Sequence, residues 1–189
     1  RSTLANRLRD LAFLNSGIAV TLIDERLETS DPLYTEHHCY EGGVAEFVKY
    51  LNTDIKVVHP EPIYFHCEKD GIDVEVAMQY NDSYSENIFT FVNNIHTPDG
   101  GTHMAGFSMA ITRVVNDYGR RHNILKPNDS NLSGEDIREG IAAIVSVKLE
   151  DPQFESQTKS KLGNSEVRTI VNQLVGKQFT DYLEENPKN

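Results

Sequence analysis

Apolar residues recur on two different periods along this chain, and the switches between those periods mark out its elements. Leu4, Leu8, Leu11 and Ala12 share one face of a predicted helix from Leu4 to Leu14, which Asn15-Ser16-Gly17 closes. Ile18 to Ile23 reads as a strand. Residues 24–42 are mixed and polar and read as a loop or irregular lobe, and Val44 to Leu51 reads as a short helix. Ile63 to Glu68 then leads into Asp70-Gly71, a favoured pair for a tight hairpin turn. Beyond it Ile72, Val74, Val76, Met78 and Tyr80 alternate with Asp73, Glu75, Ala77 and Gln79, so one face is buried and the other largely wet. Ile88 to Ile95 reads as a third strand, and the three together predict an antiparallel meander.

The second half switches to the helical period. Met104, Phe107, Ile111, Val114 and Tyr118 form a stripe on a helix opening at Thr102, with Gly119, Arg120 and Arg121 marking its end. Ser133 with Asp136 has the form of a capping box opening a single turn that Gly140 closes. Ile141 to Leu149 returns to the sheet, dense enough in Ala, Ile and Val to expect cover on both faces. A last helix from Ser165 to Leu183 turns Val167, Ile170, Val171, Leu174 and Phe179 inward and spans roughly 28 Å. This order predicts an α+β fold, a two-layer sandwich of helices on a mixed sheet.

Composition narrows the function classes. A length of 189 residues favours one domain over two. The formal charge of -11 argues against a free-standing nucleic-acid binder, whose footprint is a basic excess. Nothing approaches the ~20 apolar residues of a membrane span, and no export signal opens the sequence. Cys39 and Cys67 make no disulfide framework and fit a reducing cytoplasm.

The candidate chemistry centres on Gln157-Thr158-Lys159-Ser160-Lys161-Leu162-Gly163-Asn164, a polar loop between a buried strand and a long helix. A cation and an amide there can reach a phosphate outside the domain, while a solvated connector is the common alternative. Gly100-Gly101-Thr102-His103 lacks the Gly-Lys-Ser/Thr ending of a phosphate loop. It reads as a tight turn with Thr102 as N-cap and His103 packed locally. His37-His38-Cys39 and His66-Cys67 lack zinc spacing, and His66 and Cys67 point to opposite faces of one strand, so no metal site is expected. Glu135-Asp136 and Glu150-Asp151 sit at element ends, where caps and turns explain them.

Several blocks carry a family resemblance: Arg7-Leu8-Arg9-Asp10-Leu11-Ala12-Phe13-Leu14-Asn15, Tyr40-Glu41-Gly42-Gly43, Gly100-Gly101-Thr102-His103, Gln157-Thr158-Lys159 and Gly163-Asn164-Ser165-Glu166-Val167-Arg168. In this order they resemble the transducer domain of the bacterial DNA gyrase B subunit, from the first helix to Asn186-Pro187. The resemblance implies one transducer domain over residues 1–189 of a larger ATP-hydrolysing type IIA topoisomerase. It also implies the fold of the second domain of small-subunit ribosomal protein five, with a left-handed crossover. In that family the loop enters the neighbouring ATPase domain, so Gln157 and Lys159 are expected to touch the γ-phosphate of ATP, with Lys161 a weaker neighbour.

The implied cofactor of the whole protein is ATP with magnesium. The implied partners are the gyrase A subunit, DNA and a second B subunit met through the ATPase domain, in the bacterial cytoplasm. The fragment alone is expected to be inactive, monomeric and free of bound cofactor. Arg113, Arg120 and Arg121, with Lys126, are candidates to line a DNA cavity. Ser108 stands where relatives often carry a basic residue after Gly-Phe, which favours plain solvated arginines. The equivalent domain of the topoisomerase IV B subunit is the alternative. A small-molecule kinase of the same fold is disfavoured by the missing Gly-Leu-Gly-Ser-Ser type loop, and an RNA-binding domain by the acidic charge.

Overall fold

The computed structural model describes residues 2–188. In chain order the elements are α1 (Ser2–Leu14), β1 (Ala19–Ile23), β2 (Thr35–Cys39), α2 (Gly43–Leu51), β3 (Ile63–Lys69), β4 (Ile72–Tyr80), β5 (Asn87–Val92), β6 (Ile95–His96), α3 (Thr102–Arg121), α4 (Gly134–Arg138), β7 (Ile141–Lys148) and α5 (Ser165–Glu185). β1 and β2 form a two-stranded ribbon, and the other five strands form one sheet in the order β3-β4-β7-β5-β6. All its pairs are antiparallel except β5 with β7, which makes the sheet mixed.

Alternation decides which helices cover which face. Val74, Val76 and Met78 of β4 and Ala143, Val145 and Val147 of β7 point to one side, under Phe107, Ile111 and Val114 of α3 and Val167, Val171 and Phe179 of α5. Ala77, Ala142, Ile144 and Phe91 point to the other side, where Phe13 and Leu14 of α1 meet Val44, Phe47 and Val48 of α2. Phe13 stacks on Tyr40 and on Phe47, with ring centroids 3.6 and 4.6 Å apart. The helical stripes, the cover on both faces of β7 and the helices packed on a mixed sheet agree with the sequence pattern. However, α1 and α2 add a third layer to the two expected and bury Ala77 on the face of β4 that alternation marks as wet. α3 and α5 run close together because Gly106 lacks a Cβ, which would lie 2.5 Å from the Arg168 carbonyl oxygen.

Local signals held well. Asp70 and Gly71 both take positive φ (52° and 75°) in the β3–β4 hairpin. Ser133 and Asp136 form a reciprocal capping box. Its hydrogen bonds from Ser133 hold the Asp136 carboxyl below the ordinary carboxylate range.

Three further expectations are corrected. Residues 24–42 are not wholly irregular, because Thr35–Cys39 pairs antiparallel with β1. Its Thr-Glu-His-His-Cys sequence carries no apolar alternation, and neither face of the ribbon is fully buried, so the period gave no signal. The three-strand meander is broken by β7, which lies between β4 and β5. β7 is buried along nearly its whole length and takes the centre, a long-range choice that local alternation cannot encode. The third strand ends at Val92, where Asn93 and Asn94 turn at positive φ (49° and 65°) into β6. Asparagine tolerates that left-handed conformation, so the turn was readable.

Candidate functional site

The stretch from Gln153 to Asn164 is a small hairpin standing at the junction of β7, α3 and α5. Its two limbs are joined by Glu155 N donating to Lys161 O at 3.0 Å and Gly163 N donating to Gln153 O at 2.7 Å, with a bridge between Phe154 and Leu162. The tip is a run of short polar bonds: Lys159 N donates to Ser156 O at 3.2 Å, and the Thr158 hydroxyl lies 2.6 Å from Ser156 Oγ and 3.0 Å from Ser160 Oγ. Lys159 takes a positive φ of 56° at this turn. Gln157, Thr158 and Lys159 are exposed.

The base of the hairpin is built into the core. Leu162 is fully buried and packs in the cluster with Phe107 and Val167. Its backbone pairs with the Gly-Gly turn: Leu162 N donates to Gly100 O at 3.1 Å and Thr102 N donates to Leu162 O at 3.0 Å. Gly101 has φ 127°, and a Cβ there would overlap the Leu162 backbone. Only glycine accepts both the conformation and the approach. Asn164 ties the hairpin to α5. Its Oδ1 accepts from Gln153 N at 2.6 Å, and its Nδ2 donates to Asp151 O at 3.2 Å and to Glu166 Oε1 at 2.8 Å. That last bond holds the Glu166 carboxyl below its ordinary range.

Two sequence signals read separately are thus one structure. The Gly100-Gly101 turn, expected to be a turn with a Thr102 cap, is the dock for the Gln157–Lys159 hairpin. The N-cap of α3 is Gly101 and not Thr102, whose hydroxyl is buried in the first turn without a partner among the described residues. Sequence reading missed Leu162 and Asn164 as the anchors. Asn164 stands just before a helix, where asparagine is a common N-cap, so a signal existed. Its side chain turns back to the loop, and no side-chain cap bond is formed.

The chemistry of the tip follows from what surrounds each cation. Lys161 pairs with Glu155 across the hairpin at 2.9 Å. Lys159 and Gln157 make no side-chain hydrogen bond or ion pair among the described residues, so a donor cation and an amide stand free at the end of a rigid stem.

The candidate DNA-cavity arginines sit differently. Arg113 Nη1 donates to Asn172 Oδ1 at 2.7 Å, joining α3 to α5, and the residue lines a shallow groove with Arg138 and Asp117. Arg120 donates to Lys126 O and Asp129 O, each at 2.6 Å, and to Asn131 Oδ1 at 2.8 Å. Arg121 pairs with Glu184 at 2.8 Å.

The remaining candidates resolve into local contacts. His37 bonds Thr21 at 2.9 Å, His38 bonds the Tyr40 hydroxyl at 3.2 Å, and His66 bonds Asp73 at 2.7 Å. Among the described residues no group of three or more His, Cys, Asp or Glu side chains could hold a metal ion. An apolar cleft of about 440 Å³ is lined by Val58, Ile63, Tyr80, Ile137, Phe179 and Leu183 among others, with no lysine or arginine, and so offers a phosphate nothing. Among the described residues no helix is long and apolar enough to cross a membrane.

Known proteins are similar to this chain in architecture and sequence. The family described as DNA gyrase B matches residues 43–189. The gyrase B subunit of Clostridium acetobutylicum is 57% identical over 187 residues, covering 98% of this chain. This chain belongs to the DNA gyrase B family. The gyrase B relative from Bacillus mycoides is 55% identical, again over 98% of this chain. The 43K ATPase domain of Thermus thermophilus gyrase B, solved in complex with an aminocoumarin, superposes with a TM-score of 0.86 at 34% identity. That match covers 99% of this chain and 49% of the other. A topoisomerase IV ATP-binding domain from Francisella tularensis, at 24% identity and a TM-score of 0.78, shares the fold. The chain spans 29% of the Clostridium gyrase B subunit and 45% of the Bacillus one.

Proposed function

We propose that this chain is the transducer domain of a DNA gyrase B subunit, and that Lys159 and Gln157 report the terminal phosphate of ATP held by an adjoining ATPase domain. The observation that carries this reading is the free pair of side chains on a hairpin whose base is built into the core. A terminal phosphate carries about two negative charges, and an ammonium on a flexible four-carbon side chain suits it. A rigid stem lowers the cost of bringing that charge to one place. Two side chains cannot enclose a nucleotide, so the base and ribose belong to a pocket elsewhere in the whole protein. The residues fit one part of an ATP site, the end where the γ-phosphate and its magnesium lie. ATP supplies the energy, and this chain's contribution is to sense it and to move.

Residues 1–189 act as one unit in this reading, because Phe13 and Leu14 share a core with Ala142 and Ile144 of the sheet. The loop is joined by main-chain bonds to the start of α3 and by Asn164 to the start of α5. Loop movement on ATP binding or hydrolysis therefore shifts both helices together, and α5 carries the signal toward the DNA-cleaving part of the assembly. The partners are the gyrase A subunit, DNA and a second B subunit, in a bacterial cytoplasm. The relatives at 51–57% identity are gyrase B subunits, which favours supercoiling over the decatenation of topoisomerase IV.

The test is ATP turnover by the full-length subunit. Lys159→Ala is expected to slow hydrolysis by roughly 100-fold, since it removes a cation aimed at the transferring group. Gln157→Ala is expected to act in the same direction with a smaller effect, because it removes a neutral hydrogen bond. Normal turnover in the Lys159→Ala protein would reduce the hairpin to a solvated connector.

A further inference from the structure

The hairpin tip is free, but the turn beneath it rests on a buried polar chain. Gly100 N donates to Thr97 O at 2.9 Å. Thr97 is in turn locked to Thr90 by paired bonds. Thr97 N and Oγ1 donate to Thr90 O at 2.9 and 3.0 Å, and Thr90 Oγ1 donates to Thr97 O at 2.9 Å. Thr90 Oγ1 also lies 2.7 Å from Thr97 Oγ1, so each hydroxyl proton has more than one acceptor within reach. His103 Nε2 lies 2.9 Å from Thr97 Oγ1 and continues the chain, and its Nδ1 has no partner among the described residues. Thr90, Thr97 and His103 are all buried, His103 completely. The His103 ring thus carries one protein hydrogen bond in the core, and that bond goes to the residue that holds the Gly100 turn.

The position of this chain gives it a use. It ends in the first turn of α3, directly under the Gly100–Thr102 turn, whose Gly100 O and Thr102 N are bonded to Leu162. Asp99 N also donates to Ser160 O at 3.0 Å, next to Lys159 itself. A shift of the turn therefore moves the hairpin base, and Lys159 lies three residues away along a limb already pinned at Ser160.

We propose that the Thr90–Thr97–His103 chain and the Gly101–Leu162 junction form the platform that fixes where Lys159 is presented. Thr97, His103 and Gly101 are then positioning residues for the terminal phosphate. This inference rests on the reading of the hairpin as the phosphate contact. A misplacement of about 1 Å at a reacting group can cost on the order of 100-fold in rate, so a platform of this kind has a measurable effect.

The experiment is a double-variant cycle in the full-length subunit, reading ATP turnover. Gly101→Ala drives a methyl into the Leu162 backbone and is expected to lower kcat by roughly 10-fold or more, with little change in KM for nucleotide. Combined with Lys159→Ala it should slow turnover no further than Lys159→Ala alone, because a platform has nothing left to position. Thr97→Val keeps the side-chain shape and removes only the hydroxyl. It is expected to show the same pattern with a smaller effect, and it serves where Gly101→Ala fails to fold. Multiplying effects in the combined variants, or a loss expressed mainly through KM, would overturn the proposal while leaving Lys159 as the phosphate contact. If Lys159→Ala turns over normally, the phosphate reading itself fails. Amide hydrogen exchange at Thr102 and Leu162 then tests the platform alone: faster exchange in Thr97→Val supports it, and unchanged exchange overturns it.

Discussion

The two ends of α3 each hold a loop, and they do so with different chemistry. At the C-terminal end the loop is held by side chains. Arg120 takes two carbonyl oxygens and the Asn131 side chain, and Arg121 and His122 both turn to Glu184. At the N-terminal end the loop is held by main chain, through the bonds that Gly100 and Thr102 exchange with Leu162. Both ends carry cations, but the Arg120 and Arg121 guanidinium groups at one are engaged, while the Lys159 ammonium at the other has no partner among the described residues. A loop stapled by its own neighbours' guanidinium groups has used them. A loop docked through backbone can leave a cation and an amide at its tip for a ligand. That difference separates Lys159 from the arginines better than sequence position or charge does.

If the main-chain dock is structural, breaking it should produce the largest loss. Leu162→Ala removes a fully buried side chain from the shared core of α3 and α5. It is expected to destabilise the chain by about 2–5 kcal/mol, read from the midpoint of urea unfolding.

The buried imidazole under the same dock gives a pH dependence. Burial pushes His103 down to about 4 from its ordinary 6.5. As pH falls, the unfolded chain takes up this proton before the folded one does. The contribution is therefore complete above pH 6.5, is lost as pH falls toward 4, and amounts to roughly 3 kcal/mol. His103→Leu should flatten that part of the stability profile between pH 7 and 4.5, and an unchanged slope would mean the ring is hydrated.

The side-chain staple should give less. Arg120→Ala is expected to cost about 1 kcal/mol, since its bonds are made near solvent, and to loosen residues 123–131. Lys159→Ala should leave stability within about 0.5 kcal/mol of the parent. Thermal unfolding of the two variants side by side checks the contrast, and a Lys159 cost equal to that of Arg120 would show the tip cation to be engaged after all.

The same contrast explains what the sequence could and could not disclose. Met104, Phe107, Ile111 and Val114, the Asp70-Gly71 turn and the Ser133–Asp136 box are local patterns, and each was legible. The exposed Gln157-Thr158-Lys159 tip was legible too, because its flanking elements are strongly periodic. The place of β7 between β4 and β5 was not, since pairing partners leave no mark on a strand buried on both faces. Nor was the pairing of Gly101 with Leu162, which are 61 positions apart in the sequence and are held together through backbone bonds of Gly100 and Thr102 that any residue could make. β2 was hidden for a simpler reason: Thr35–Cys39 offers histidines and a glutamate where alternation needs apolar residues.

The most direct measurement compares two nucleotides on the full-length subunit by calorimetric titration, with and without Lys159→Ala. A contact to the terminal phosphate is worth roughly 10- to 100-fold in affinity for a non-hydrolysable ATP analogue and nothing for ADP, which lacks that phosphate. The expected result is a weakened triphosphate and an unchanged diphosphate. Equal weakening of both, or of neither, would contradict the assignment of Lys159 to the γ-phosphate.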